Sequence, residues 1–144
     1  MGRRRLAHFT LSQIQAVRES RDIKDCTFTM QQAWAKASAE WASKHPQLPV
    51  PFLTCTWRSY EVQAELYAKG RTKPGRIVTH ARPGQSKHNR MPSPAFDIAF
   101  KKDDGSLDWS PGLFQKFADI IKPMGVAWGG DWVRFKDLPH FEEK

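Results

Sequence analysis

The segment AFDIAF, residues 95–100, admits few folds. Its apolar side chains alternate with a period of two. Phe96, Ile98 and Phe100 therefore share one face of a strand, and Ala95, Asp97 and Ala99 share the other. Such a strand belongs inside a sheet, and the small alanines leave room beside the carboxylate. A buried carboxylate without a partner is costly, so Asp97 calls for a cation, either an arginine or a metal ion.

The rest of the chain supplies helices and short strands in irregular order. Residues 29–46 predict a helix with Thr29 and Gln32 at capping-box spacing, an inner face of Met30, Ala33, Trp34, Ala37 and Trp41, and a stop at Pro46. Residues 10–20 predict a shorter helix opened by Thr10 and Gln13. VPFLTCTW, residues 50–57, reads as a strand that delivers Arg58. A helix follows, capped by Ser59, with Tyr60, Ala64, Tyr67 and Ala68 on one face and Gly70 at its end. Residues 71–94 are mostly loop, with Ile77 and Val78 as a short strand, and a loop this long is more often functional than idle. Ser110 and Pro111 open a last helix with a buried stripe of Leu113, Phe114, Phe117, Ala118 and Ile121, ended by Pro123 and Gly125. Short extended segments and a Gly-Gly turn close the chain. This order lacks regular βαβ alternation. It predicts an α+β class: a small, mostly antiparallel sheet packed with helices, in a single domain over residues 1–144.

Composition narrows the partners. The net charge of +8 implies an acidic partner, and nucleic acid, anionic membrane and anionic cell wall all qualify. The basic residues form no single stripe and no recognised nucleic-acid motif, which leaves a nucleic-acid-binding protein as a distant alternative. No apolar run approaches the ~20 residues of a membrane span, so stable membrane insertion is not expected. The start, MGRRRLAHFTLSQ, has no apolar core and is not a signal peptide. Cys26 and Cys55 have no CxxC neighbour, which excludes a cysteine-rich zinc site and leaves one disulfide or two buried thiols.

The metal option for Asp97 finds ligands elsewhere in the chain. His88 stands nine residues earlier, across a loop with Pro92 and Pro94 that can fold back. His140, in KDLPHFEEK, follows a rigid Pro139. Two histidines and one carboxylate make a catalytic zinc set with one position left open. His80 is a rival ligand, while His8 and His45 fall at surface positions. The competing reading pairs Asp97 with an arginine and leaves the histidines incidental. A hydrolase also needs a base, which Asp137 or Glu142 can supply, and a cation for the developing oxyanion, which Arg58 can supply.

TWRSYEVQAELYAKGRTKPGRIVT, GQSKHNRMPSPAFDIAF, WGGDW and FKDLPHFE, in that order, resemble the LAS-type zinc peptidases. That family includes VanY-like D-Ala-D-Ala carboxypeptidases and phage L-alanyl-D-glutamate endopeptidases. The resemblance covers roughly residues 50–142 and is closest to single-domain phage endolysins. It implies a hedgehog/D-Ala-D-Ala peptidase-like fold with Zn2+ held by His88, Asp97 and His140. It ranks Asp137 above Glu142 as the base, gives Arg58 the scissile carbonyl, and sets Ser86 and Gln63 against the substrate. The implied function is a zinc metallopeptidase that hydrolyses the peptide stem of bacterial peptidoglycan, most simply an L-alanyl-D-glutamate endopeptidase acting as a phage endolysin. D-Ala-D-Ala carboxypeptidase is the alternative. The expected protein is a monomer that accumulates in the host cytoplasm and reaches the wall through a lesion made by another protein.

Overall fold

The structure, a computed structural model, describes residues 18–144. The helix expected over residues 10–20 falls almost wholly outside them.

Among the described residues, three helices of two turns or more and four strands form the α+β fold. They follow in the order α1 (Phe28–Lys44), β1 (Val50–Cys55), α2 (Tyr60–Ala68), β2 (Ala95–Lys101), α3 (Pro111–Ile121), β3 (Val126–Trp128) and β4 (His140–Glu143). The strands run β1-β2-β4-β3 across one sheet, and every neighbouring pair is antiparallel. This is the expected class.

Alternation along β2 splits the sheet into two environments. Phe96, Ile98 and Phe100 are fully buried beneath α1 and α3. Phe141 of β4 joins them and meets the ring of Phe117 edge-on at 5.3 Å. Trp41 of α1 packs on Phe100 at 5.2 Å, and Phe114 closes on the same ring at 4.9 Å. Each such ring removed from water contributes about 1.5–3 kcal/mol, so this side of the sheet carries the stability. The opposite side holds Asp97.

Local details differ from the sequence pattern in four places. Helix α1 is capped by Thr27 rather than Thr29: the Thr27 hydroxyl accepts from the Met30 amide and donates to the Glu143 carboxylate at 2.8 Å. Ser110 occupies the N-cap of α3 with Pro111 behind it, but its hydroxyl donates to Asp108 and leaves the helix amides alone. Helix α2 is capped by Ser59 as expected, yet it turns Gln63 inward and leaves Tyr60 exposed. Ile77 and Val78 form no strand; they lie exposed on an extended loop. Both cysteines are buried free thiols, and burial, before nearby acidic groups, pushes that of Cys26 up to about 12.

Candidate active site

Strand pairing brings the first two polar groups together. Asp97 on β2 lies directly opposite His140 on β4. Opposed residues on adjacent strands point to the same side, and Asp97 Oδ1 comes within 3.0 Å of His140 Nδ1. His88 arrives from a different direction. It sits in a single 3-10 turn, Lys87–Asn89, in which the Ser86 hydroxyl accepts from the His88 amide. That turn is latched to the segment after β1: the Arg58 amide donates to the His88 carbonyl at 2.7 Å, and the Asn89 side chain donates to the carbonyls of Arg58 and Ser59. His88 Nε2 ends 3.1 Å from Asp97 Oδ1 and 3.2 Å from His140 Nδ1.

The outer nitrogens decide what the inner ones can do. His88 Nδ1 lies 2.7 Å from the Thr56 carbonyl, and His140 Nε2 lies 3.0 Å from Glu142 Oε1. Both partners accept, so each outer nitrogen carries the hydrogen and each inner nitrogen presents a lone pair. In that tautomer three acceptors converge with no donor between them, an arrangement that added protons or a metal ion can satisfy. A tetrahedral ion with ligands at about 2.0–2.1 Å sets them about 3.3 Å apart, close to the observed triangle. His88 and His140 are buried and Asp97 is 19% exposed, so the set is enclosed yet reachable from one side.

Cys55 also stands nearby, and Cys55, His88 and Asp97 offer ligand atoms all within 4.8 Å of one another. Its sulfur, however, lies 3.8 Å from His88 Nδ1, the outer nitrogen already bonded to Thr56. One imidazole cannot turn both nitrogens to one ion. The coherent set that could hold a metal is His88 Nε2, Asp97 Oδ1 and His140 Nδ1.

Protons compete for the same position. Burial opposes charge on His88, but the Asp97 carboxylate pushes its pKa up to about 10. His140 is raised as well: burial works against it, and hydrogen bonds to Asp97 and Glu142 prevail. For Asp97, burial raises the pKa, yet the two imidazoles hold it well below the usual carboxylate range.

Asp137 and Glu142 separate by environment. Asp137 is raised by burial and by the Asp97 charge, against the pull of His140, His88 and Arg58. Glu142 is held down at about 2, because His140 and Lys87 outweigh its burial. Glu142 is thus committed to orienting His140, while Asp137 lines the cleft as a more basic carboxylate. Loop 129–139 brings Asp137 there: its amide donates to the Gly129 carbonyl at 3.0 Å.

Arg58 lines the same cleft. Its guanidinium lies 3.7 Å from Asp97 Oδ2 and donates to Gln63 Oε1 at 3.1 Å. Gln63 is the one expected substrate contact that does not reach the cleft. It is 1% exposed and also donates to the Ala81 carbonyl at 2.8 Å, so it positions Arg58 from behind. Ser86 does line the cleft. His80 stays outside the triad and stacks edge-on against Phe135 at 4.2 Å. His45 caps α1 against Trp41. The cleft, of about 520 Å³, is completed by Trp132, whose ring lies 5.2 Å from that of His140.

The sequence offered Glu142 as an alternative base, and the structure ties it to His140 Nε2 instead. Nothing in the pattern pointed to Asn89 or to the Thr56 carbonyl, which act through loop geometry.

Residues 79–143 match the family model described as D-alanyl-D-alanine carboxypeptidase. That span holds the three converging side chains and Asp137. The chain is also similar to the peptidoglycan L-alanyl-D-glutamate endopeptidase CwlK of Bacillus subtilis (strain 168), 44% identical over 99 residues, which is 62% of this chain and 58% of the relative. The chain therefore spans less than two thirds of that relative's length. Its fold is similar to the crystal structure of the Serratia marcescens L-Ala D-Glu endopeptidase ChiX, with a TM-score of 0.63 at 19% identity, over 90% of this chain and 88% of that one. The resemblance to this peptidase family is thereby borne out.

Proposed function

We propose that this chain, similar over residues 79–143 to the D-alanyl-D-alanine carboxypeptidase family, is a metal-dependent peptidase that cuts the peptide stem of peptidoglycan at the L-Ala–D-Glu bond. The observation that carries the reading is the convergence of three acceptors, His88 Nε2, Asp97 Oδ1 and His140 Nδ1, each imidazole with its other nitrogen already engaged. Zinc is the ion this donor set suits best, and when bound it supplies Lewis acidity toward the attacking water and the scissile carbonyl.

The protein's own groups do the remaining work. Asp137, made more basic by its setting, takes a proton from the attacking water and returns it to the departing amine. Arg58, fixed by Gln63, offers positive charge to the carbonyl oxygen as it becomes anionic. Glu142 and Thr56 hold the two imidazoles in the required tautomers.

L-Ala–D-Glu cleavage is preferred because the 44%-identical relative carries that activity in its name. The description of the matched family supports removal of a terminal D-alanine as the second reading. Incubation with purified muropeptides, then with chelator and with zinc restored, separates them by the mass of the fragments. The expected result is metal-dependent scission after L-alanine. Free D-alanine as sole product establishes the second reading, and no cleavage by zinc-loaded protein overturns both. The finer part of the proposal is a phage lytic role, supported by the likeness of GQSKHNRMPSPAFDIAF and FKDLPHFE to single-domain phage lysins. It requires lysis of cells whose walls are exposed to the purified protein.

A further inference from the structure

The cleft holds one charge that the proposed reaction does not use. Three side chains of permanent positive charge line it: Arg58, Lys87 and Arg134. Arg58 is held by Gln63 and lies 3.7 Å from Asp97 and 4.0 Å from Glu19. Lys87 is paired with Glu142 and also donates to the Glu143 carbonyl at 3.3 Å. Arg134 differs from both. It is exposed, and among the described residues it forms no ion pair.

The loop that carries Arg134 is fixed against the site. The Trp132 ring lies 5.2 Å from that of His140, and the Phe135 ring lies 4.2 Å from that of His80. The amides of Trp132 and Asp137 both donate to the Gly129 carbonyl, at 3.3 and 3.0 Å. Between these anchors Val133 is 95% exposed and lies outside the cleft, whereas Arg134 lines it.

The chemistry assigns a side of the substrate to this loop. Asp137, three residues after Arg134, returns a proton to the departing amine in the reaction proposed above. The residue that owns that amine therefore lies against loop 129–139. In a peptidoglycan stem cut after L-alanine, that residue is D-glutamate, and the stem continues through its γ-carboxyl. Its α-carboxylate stays free, on the carbon that bears the departing nitrogen. A guanidinium meets a carboxylate with two parallel hydrogen bonds, a match of charge and shape that a neutral group does not reproduce. Arg58 and Lys87 already face carboxylates of the protein, which leaves Arg134 for that of the substrate. We propose that Arg134 is a specificity-determining residue that binds the free α-carboxylate of the D-glutamyl residue, so that the enzyme selects stems bearing the acid over stems in which that group is a carboxamide. This rests on the L-Ala–D-Glu reading above. The carboxamide has no charge and offers one acceptor oxygen in place of two, so it leaves the guanidinium half answered.

Two synthetic stem peptides test this, alike except that one bears the D-glutamyl α-carboxylate and the other its carboxamide. Zinc-loaded protein is expected to favour the acid by at least about tenfold in kcat/KM. In Arg134→Gln that ratio should fall to within about twofold of unity, while Arg134→Lys retains part of it. Damage to folding or to the triad lowers both rates together and leaves the ratio alone. Lys136→Gln removes the same charge from an exposed position of the same loop outside the cleft, and should keep the full preference. No preference in the unmodified protein overturns the proposal, as does a preference that survives Arg134→Gln or falls equally in Lys136→Gln. Binding of the D-glutamyl product peptides, acid and carboxamide, is measured by calorimetry as a separate arm. Cleavage of both stems at equal rates sinks the subsite alone. No cleavage of either, with an acid preference in binding that Arg134→Gln abolishes, sinks the peptidase reading alone. No cleavage and no preference in binding sink both.

Discussion

Gly129 and Asp137 are packed backbone to backbone. The Asp137 amide donates to the Gly129 carbonyl at 3.0 Å, and a β-carbon on Gly129 would fall 2.3 Å from the Asp137 carbonyl oxygen. No side chain fits there, so the glycine sets how closely the proposed base approaches the triad. Gly129→Ala should push Asp137 outward. Misplacement of a reacting group by about 1 Å costs on the order of 100-fold. We expect kcat to fall by about that factor while metal content, measured by elemental analysis, stays at the unmodified level. Loss of metal in this variant would place the damage in the triad instead.

Glu142→Gln tests the proposed orientation of His140. The carboxylate meets His140 Nε2 at 3.0 Å. Removing such an outer partner typically weakens metal binding about 10–100-fold. Chelator competition should show that loss, whereas His140→Ala or His88→Ala should abolish stoichiometric binding. An unchanged affinity in Glu142→Gln would show that His140 is held by other means.

Metal binding should release protons. In metal-free protein His88 is pushed up to about 10 and His140 is raised, so at neutral pH the triad holds protons that an ion must displace. Calorimetry in buffers of different ionisation enthalpy should report release of about one proton or more, and affinity should climb with pH. The sign for folding follows from the same shifts. The raised histidine stabilises metal-free protein fully below its ordinary 6.5, and that contribution is lost as pH climbs through about 10. The lowered Asp97 stabilises above its ordinary 3.8, and that contribution is lost on acidification. Thermal melts in chelator should therefore fall away on both sides of neutrality. A flat profile would remove the coupling.

Phe135 adopts φ 55° with its ring against His80, at the cleft rim. A bulky residue in that backbone region costs about 1–2 kcal/mol. Phe135→Gly relieves the strain but removes the wall that His80 leans on. Folding stability should change by less than about 1 kcal/mol, while KM for stem peptides rises. A large drop in melting temperature with unchanged KM would make Phe135 a structural residue only.

Much of the fold was legible because period fixes it. The alternation of AFDIAF gave β2 and its two faces, and the three- and four-residue spacing gave α1 and α3. Pattern failed where packing is polar. Helix α2 was expected to share one face among Tyr60, Ala64, Tyr67 and Ala68, yet the residue it buries is Gln63, because its inner face meets the carbonyl of Ala81 and a guanidinium rather than the apolar core. The cap of α1 moved two residues because Thr27 also bonds Glu143, a partner 116 positions away. For the site, residue chemistry suggested His88, Asp97 and His140, which do converge. Sequence could not choose between Asp137 and Glu142 without a known family. The choice depends on which carboxylate is already tied to an imidazole, and that is a property of the folded loop.

The pairing of Asp97 with His140 across β2 and β4 has a consequence for how the chain finds its final form. Sliding either strand by one position would turn one of the two side chains to the far side of the sheet and scatter the ligand set. An ion captured at this point would act as a molecular pin, favouring the same alignment that Phe141 in the core and the Thr27 bond to Glu143 already select.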